Sequence, residues 1–204
     1  MENNKKQPLS LSDFSPFKEF TPNELDQLTK NSSLLKYSIG QVIATSSVIQ
    51  DPILFILSGE VRMLGTHEGN EFTIAKLGIG NFIGLSSFLR AQSCEQMICS
   101  TEVKALAIRN ELILDLYNNN KKFAYWCNHK VFLSEVYDLL KVFSENKIIN
   151  IKNKLLILKE LYKNISIINS IELSNEELNL SKKVIISGSS NIKNKQIGEL
   201  IDKK

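Results

Sequence analysis

The sequence predicts a mainly β domain, a sandwich or a barrel, held between helices at both ends. Between residues 33 and 108, short runs rich in Val, Ile, Phe and Thr follow one another closely, punctuated by glycines or polar turns. That is the pattern of a sandwich or barrel. Ahead of them stands a helix start, Thr21-Pro22-Asn23-Glu24. After residue 110 the glycine turns give way to apolar residues at helical spacing.

Residues 1–10 are polar and are expected to be disordered, and Ser12 to Phe17 reads as a short helical turn presenting Phe14 and Phe17. Thr21 is a good N-cap and Pro22 suits the first helical position. Glu24 can reach back to the Thr21 N–H in a capping box, so a helix is expected through Leu25 and Leu28 to about Lys30. The β runs are 34–37, 41–45, 53–57, 60–65, 71–77, 81–83, 97–101 and 103–108, with Gly40, Gly59, Gly69, Gly78 and Gly80 between them or at their ends. Ser86 to Arg90 lacks β alternation and reads as one helical turn between two strands. Asn110 is expected to cap a short helix through Leu112, Leu114 and Leu116.

A long helix is expected over 121–148. In it Trp126, Leu133 and Leu140 recur every seven residues, with His129, Val136 and Phe143 three residues after each. This is an a/d spacing under three heptads long. It is either a dimer seam or the stripe that packs on the barrel; the seam reading makes the chain a homodimer. A third helix is expected over 151–163, with Leu155, Leu158, Leu161 and Tyr162 on its apolar face. Beyond it, a capping-box pattern (Ser174-Asn175-Glu176-Glu177) and a strand and turn (Val184-Ile185-Ile186-Ser187-Gly188) make a small segment over 149–204, expected to lead to a further domain.

Composition narrows the function. No run approaches the roughly 18 apolar residues of a membrane helix, and the polar N-terminus has no signal-peptide core. Cys94, Cys99 and Cys127 lack metal or disulfide spacing, so they read as reduced thiols of a cytosolic protein, and no metal site is expected. Net charge is +3: residues 121–204 carry 15 Lys against 9 Asp or Glu, leaving −3 on residues 1–120. Those lysines are interspersed with Asn and Glu and no Arg follows residue 109, so they read as solvated helix faces and no nucleic-acid partner is expected. His67, beside Glu68, and His129 have no nucleophile motif nearby, so no catalytic residue and no cofactor is expected.

Four segments carry a family resemblance: Tyr37-Ser38-Ile39-Gly40-Gln41-Val42-Ile43, Phe55-Ile56-Leu57-Ser58-Gly59-Glu60-Val61-Arg62, Leu77-Gly78-Ile79-Gly80-Asn81-Phe82-Ile83-Gly84, and the helix after residue 120. Residues 17–145 resemble the cyclic-nucleotide-binding domain family of catabolite-activator-type regulators and protein kinase A regulatory subunits. The resemblance implies a double-stranded β-helix (jelly-roll, cupin-like) barrel over 11–120, with short N-terminal helices and a long C-terminal helix. It also implies a phosphate-binding cassette comprising Gly84, Leu85, Ser86, Ser87, Arg90, Glu95 and Gln96. In nucleotide-binding members a Glu follows the cassette glycine and holds the ribose 2′-hydroxyl. An Arg further on forks onto the phosphate, and a small hydroxyl residue follows it. The corresponding residues here are Leu85, Glu95 and Gln96. Leu85 cannot accept a hydrogen bond. Glu95 would set like charges about 4 Å apart, a repulsion of roughly 4 kcal/mol at an effective dielectric of about 20. The resemblance therefore implies a regulatory or docking module with a degenerate nucleotide pocket, able to take an unknown small ligand or none.

Leu89-Arg90-Ala91-Gln92-Ser93-Cys94-Glu95 and Cys99-Ser100-Thr101-Glu102-Val103-Lys104-Ala105-Leu106-Ala107-Ile108 are also similar to N-terminal domains of bacterial peptide- and toxin-secretion ABC transporters. That likeness implies the cytosolic front portion of an exporter, partnered by membrane-transporter domains. The alternative is a stand-alone transcription regulator, which needs a helix-turn-helix after the long helix; Val184 to Ser187 reads as a strand where the recognition helix should lie.

Overall fold

The computed structural model describes residues 10–67, 69–145 and 154–165. In chain order the strands are β1 (Ser33–Tyr37), β2 (Val42–Ala44), β3 (Ile53–Ser58), β4 (Val61–His67), β5 (Asn70–Leu77), β6 (Phe82–Ile83), β7 (Met97–Cys99) and β8 (Val103–Ile108). Each expected β run becomes a strand, its ends moved by at most two residues. The helices are α1 (Pro22–Lys30), α2 (Leu85–Leu89), α3 (Asn110–Asn119), α4 (Lys121–His129), α5 (Leu133–Glu145) and α6 (Lys154–Asn164).

The strands divide into two four-stranded antiparallel sheets, ordered β1-β8-β3-β6 and β2-β7-β4-β5. Two antiparallel sheets of this kind fit the β-roll expected. Successive side chains of a strand point to opposite faces, and the first sheet uses both. Leu54 and Ile56 of β3, with Ala105 and Ala107 of β8, enter the inner core with Val61, Met63, Met97 and Cys99 of the second sheet. Ile53 and Phe55, with Leu106 and Ile108, enter an outer cluster beneath Phe17, Phe20, Leu28, Ile113 and Phe123. Burial on both faces is why Ile53 to Ile56 is an unbroken apolar run.

The Thr21 capping box forms as expected: Thr21 N–H donates to Glu24 Oε2 (2.7 Å) and Glu24 N–H to Thr21 Oγ1 (3.3 Å). Phe17 is fully buried and stacks edge-on to Phe55, with centroids 5.1 Å apart. Gly59 turns β3 into β4 at φ +90°, and a Cβ there would collide with the Glu102 carbonyl. Asn110 does not cap α3: Arg109 is the N-cap residue, and the Asn110 side chain donates to Gln50 O (3.1 Å).

The long helix is two helices. α4 ends at His129, Lys130 is extended (ψ 120°), and α5 begins at Leu133. The break lets one stretch serve two cores. Trp126 packs on the outer cluster, whereas Val136 and Leu140 are buried in the inner core, with Leu133 packed against it. A Cβ on Gly65 would collide with the Tyr137 hydroxyl, so Gly65 makes room for α5 against β4. His129 stacks on Tyr125 (4.0 Å between centroids), and Phe143 is half-buried. The a/d residues therefore do not form one exposed seam. Leu133, Val136 and Leu140 on α5 pack on the chain's own core, the second of the two roles expected for the stripe. α6 starts at Lys154 within the expected 151–163 and buries Leu158 in the inner core. The disorder expected at the N-terminus and the elements expected near Ser174 and Val184 fall outside the described residues, as do Glu68 and the His67 side chain.

Candidate functional site

The cassette is built on α2, one turn and a half of helix set between β6 and β7. Gly84 precedes it at φ +88°, where a Cβ would meet the Gln50 side chain at 2.5 Å. Only glycine enters this turn without strain. Leu85 is fully buried in the outer apolar cluster. Ser86 and Ser87 are buried on the polar side of the helix, where both hydroxyls lie by Cys94 Sγ (3.4 and 3.5 Å).

Two carboxylates of the chain itself occupy this site. Glu95, 4% exposed, accepts the Gly84 N–H on Oε2 at 2.5 Å. Burial pushes its pKa up to about 7. Hydrogen bonds from the Ser86 side chain, the Gly84 N–H and the Ser87 side chain pull the other way, and nearby Glu135 adds to the rise. Glu135, on the first turn of α5, accepts from Arg90 Nε (2.6 Å) on one oxygen and from the Phe132 N–H (3.2 Å) on the other. The Arg90 and Glu135 side chains are only 12% and 2% exposed. Burial raises the Glu135 pKa, against the pull of Arg90. Ser134, beside Glu135, lies 3.0 Å from Ser86 through the two hydroxyl oxygens. α5 is thus bolted to α2 by a buried ion pair and a buried hydroxyl pair, and the Arg90 Nη2 atom is buried without a hydrogen-bond partner. Cys94 is half-buried, and burial with the Glu95 charge pushes its thiol up to about 11. Its thiolate population is small at neutral pH.

Gly84, Ser86, Ser87, Arg90 and Glu95 come together as one cluster. Leu85 faces the apolar cluster, and the Gln96 side chain leaves the cassette to donate to Glu71 Oε1 (2.5 Å) on β5. Arg90 does not lie open at the tip of α2; Glu135 holds it. Sequence reasoning missed Ser134 and Glu135, which reach the site only because α5 folds back onto α2. The available signal was a polar pair, Ser134-Glu135, set between the apolar stripe residues Leu133 and Val136. Among the described residues, no group of three or more His, Cys, Asp or Glu could hold a metal ion, and no helix is long and apolar enough to cross a membrane.

The family model described as the cyclic nucleotide-binding domain matches residues 34–120. Among curated proteins none matches. Several solved structures are similar. The catabolite activator protein of Thermus thermophilus is 23% identical over 65% of this chain and 59% of its own, with a TM-score of 0.48. A cyclic nucleotide-binding-like protein of Brucella abortus is 17% identical over 53% of this chain and 95% of its own (TM-score 0.46). A regulatory subunit of a cAMP-independent protein kinase A from Trypanosoma cruzi, bound to guanosine, is 18% identical over 58% of this chain (TM-score 0.47). The chain spans less than half the length of that subunit and of its Trypanosoma brucei counterpart, 46% and 47%. Residues 34–120 of this chain are therefore similar to the cyclic nucleotide-binding domain family.

Proposed function

We propose that this chain is a non-catalytic regulatory or docking module whose nucleotide cassette is filled by its own carboxylates and does not answer to cyclic AMP or cyclic GMP. The observation that carries the reading is the hydrogen bond from the Gly84 N–H to Glu95. That N–H opens the helix whose backbone donors would meet a phosphate in a nucleotide-binding member, and a carboxylate of the protein takes it instead. The same logic holds at Arg90. A guanidinium forks onto phosphate through two parallel N–H donors, and Glu135 already holds its Nε. An incoming cyclic phosphate would have to displace one carboxylate and lie against the other. The likeness of the segments around Cys94-Glu95 and Cys99-Ser100 to exporter-associated domains supports placing the module at the cytosolic front of an ABC-type exporter.

Isothermal titration of the purified chain with cyclic AMP and cyclic GMP, up to millimolar concentration, tests the reading. No heat of binding is expected; saturable binding at micromolar affinity would overturn it.

A further inference from the structure

A cavity of about 250 Å³ lies between the β-roll strands that carry Met63, Leu77 and Met97, the turn over 79–82, and the link that joins α4 to α5. Its wall is aromatic to an unusual degree: Phe14, Phe82, Trp126, Phe132 and Tyr162 all line it, with Met63, Leu77 and Met97 from the roll filling the gaps. Trp126 organises the rings. Its centroid lies 5.8 Å from that of Phe82 and 6.3 Å from that of Phe132, the latter ring standing at 89° to it. Among the described residues, Glu95 is the one acidic residue of the lining.

We infer that the cavity is a binding site for a small organic ammonium ion, with the cation set among the aromatic rings and balanced by Glu95. This rests on the reading that the cassette no longer takes a cyclic nucleotide. A ring face carries negative charge density, and a cage of rings attracts an ammonium group, quaternary ammonium included. A buried carboxylate needs a proton or a cation as counterweight. Among the described residues Glu95 has hydrogen-bond donors but no ion pair, since Arg90 is committed to Glu135. The groups around Glu95 are the Gly84 N–H, the Ser86 and Ser87 hydroxyls, the Cys94 thiol and Glu135, none of them cationic. Lys130 is the cation of the lining. It also lines the open groove beside Tyr125 and is partly exposed, so its flexible stem can carry its charge into water. The substitution that disables the cassette for phosphate, a carboxylate where an arginine is expected, thus equips the adjoining cavity for the opposite charge.

Trp126 is the chain's single tryptophan, so its fluorescence reports on the cavity wall. The full chain is titrated with choline, with its uncharged carbon isostere 3,3-dimethylbutan-1-ol, and with cyclic AMP. Choline is expected to bind at least about tenfold more tightly than the isostere, a difference of about 1.4 kcal/mol. Glu95→Gln, which keeps the shape but removes the charge, should erase that preference. Phe132→Leu, checked by circular dichroism to be folded, should weaken choline several-fold and the isostere little. Choline affinity should also fall from roughly one unit above pH 7 to one unit below it, as Glu95 takes up a proton. Equal binding of choline and its isostere, unchanged selectivity in Glu95→Gln, or no saturable response to choline would each overturn the inference. Silence of both choline and cyclic AMP overturns it while leaving the cassette reading intact. Tight cyclic AMP binding that displaces choline overturns the cassette reading instead.

Discussion

The outer apolar cluster and the polar cluster around Glu95 meet on α2: Leu85 belongs to the first, Ser86 and Ser87 to the second. Both are buried, but they are held by different physics. The apolar cluster is a stack of rings and aliphatic chains in which Phe55 touches Phe14, Phe17 and Phe82 at centroid distances of 4.9–5.8 Å. Its stabilisation scales with apolar area and is indifferent to pH. The polar cluster gains little from burial itself, because every buried charge pays a desolvation cost that its partners only partly return. In exchange it is specific, as only one seating of α5 pairs Glu135 with Arg90 and Ser134 with Ser86. The first cluster fastens the flanking helices to one sheet of the β-roll, and the second decides where α5 lies.

Three perturbations break this comparison in turn. The largest effect belongs to the apolar side. Phe55→Ala empties a fully buried site and should cost about 3–5 kcal/mol by chemical denaturation, with no change in its pH dependence. A loss under about 1 kcal/mol would mean that the cluster repacks and is not the keystone described. Next, Arg90→Met strands Glu135 as a buried, unpaired carboxyl and should cost about 3 kcal/mol. The double variant Arg90→Met with Glu135→Leu should recover most of that loss. A failure to recover would show that the pair does more than neutralise itself.

The most selective effect comes from Glu95. Its carboxyl titrates near 7 in the fold against an ordinary 4.5, so the folded state holds the proton more firmly than the unfolded chain. The stability this contributes is complete below the ordinary value and is lost as pH rises through about 7. Glu135 is shifted in the same direction. Urea midpoints followed across this range should fall for the parent chain, and Glu95→Gln should remove a decline on the order of 3 kcal/mol. Equal declines in both chains would place the proton elsewhere.

Most of the fold was legible in the sequence because its signals are local. Thr21 and Glu24 form their box within three residues, and the glycines after β3 and before α2 stand where the chain needs φ near +90°. The β runs end close to where the strands end because a period of two and a turn residue need no distant partner. The residue types Leu85 and Glu95 at the cassette were likewise legible, whereas what each side chain packs against was not. What the sequence did not show follows from long-range packing. The repeat over Trp126, Leu133 and Leu140 fits one straight helix as well as two, because periodicity records which positions are apolar and not which surface they meet.

The sequence by itself thus determined the strands, their turns and the residue types at the cassette positions, all matters of a few neighbouring positions. Only the tertiary structure decided that the helix breaks after His129, that its apolar residues serve two cores of one molecule, and that Glu135 reaches across 45 residues to hold Arg90. Pairings of that kind depend on how separate elements dock, and a buried charge is settled only by the partner that docking brings to it.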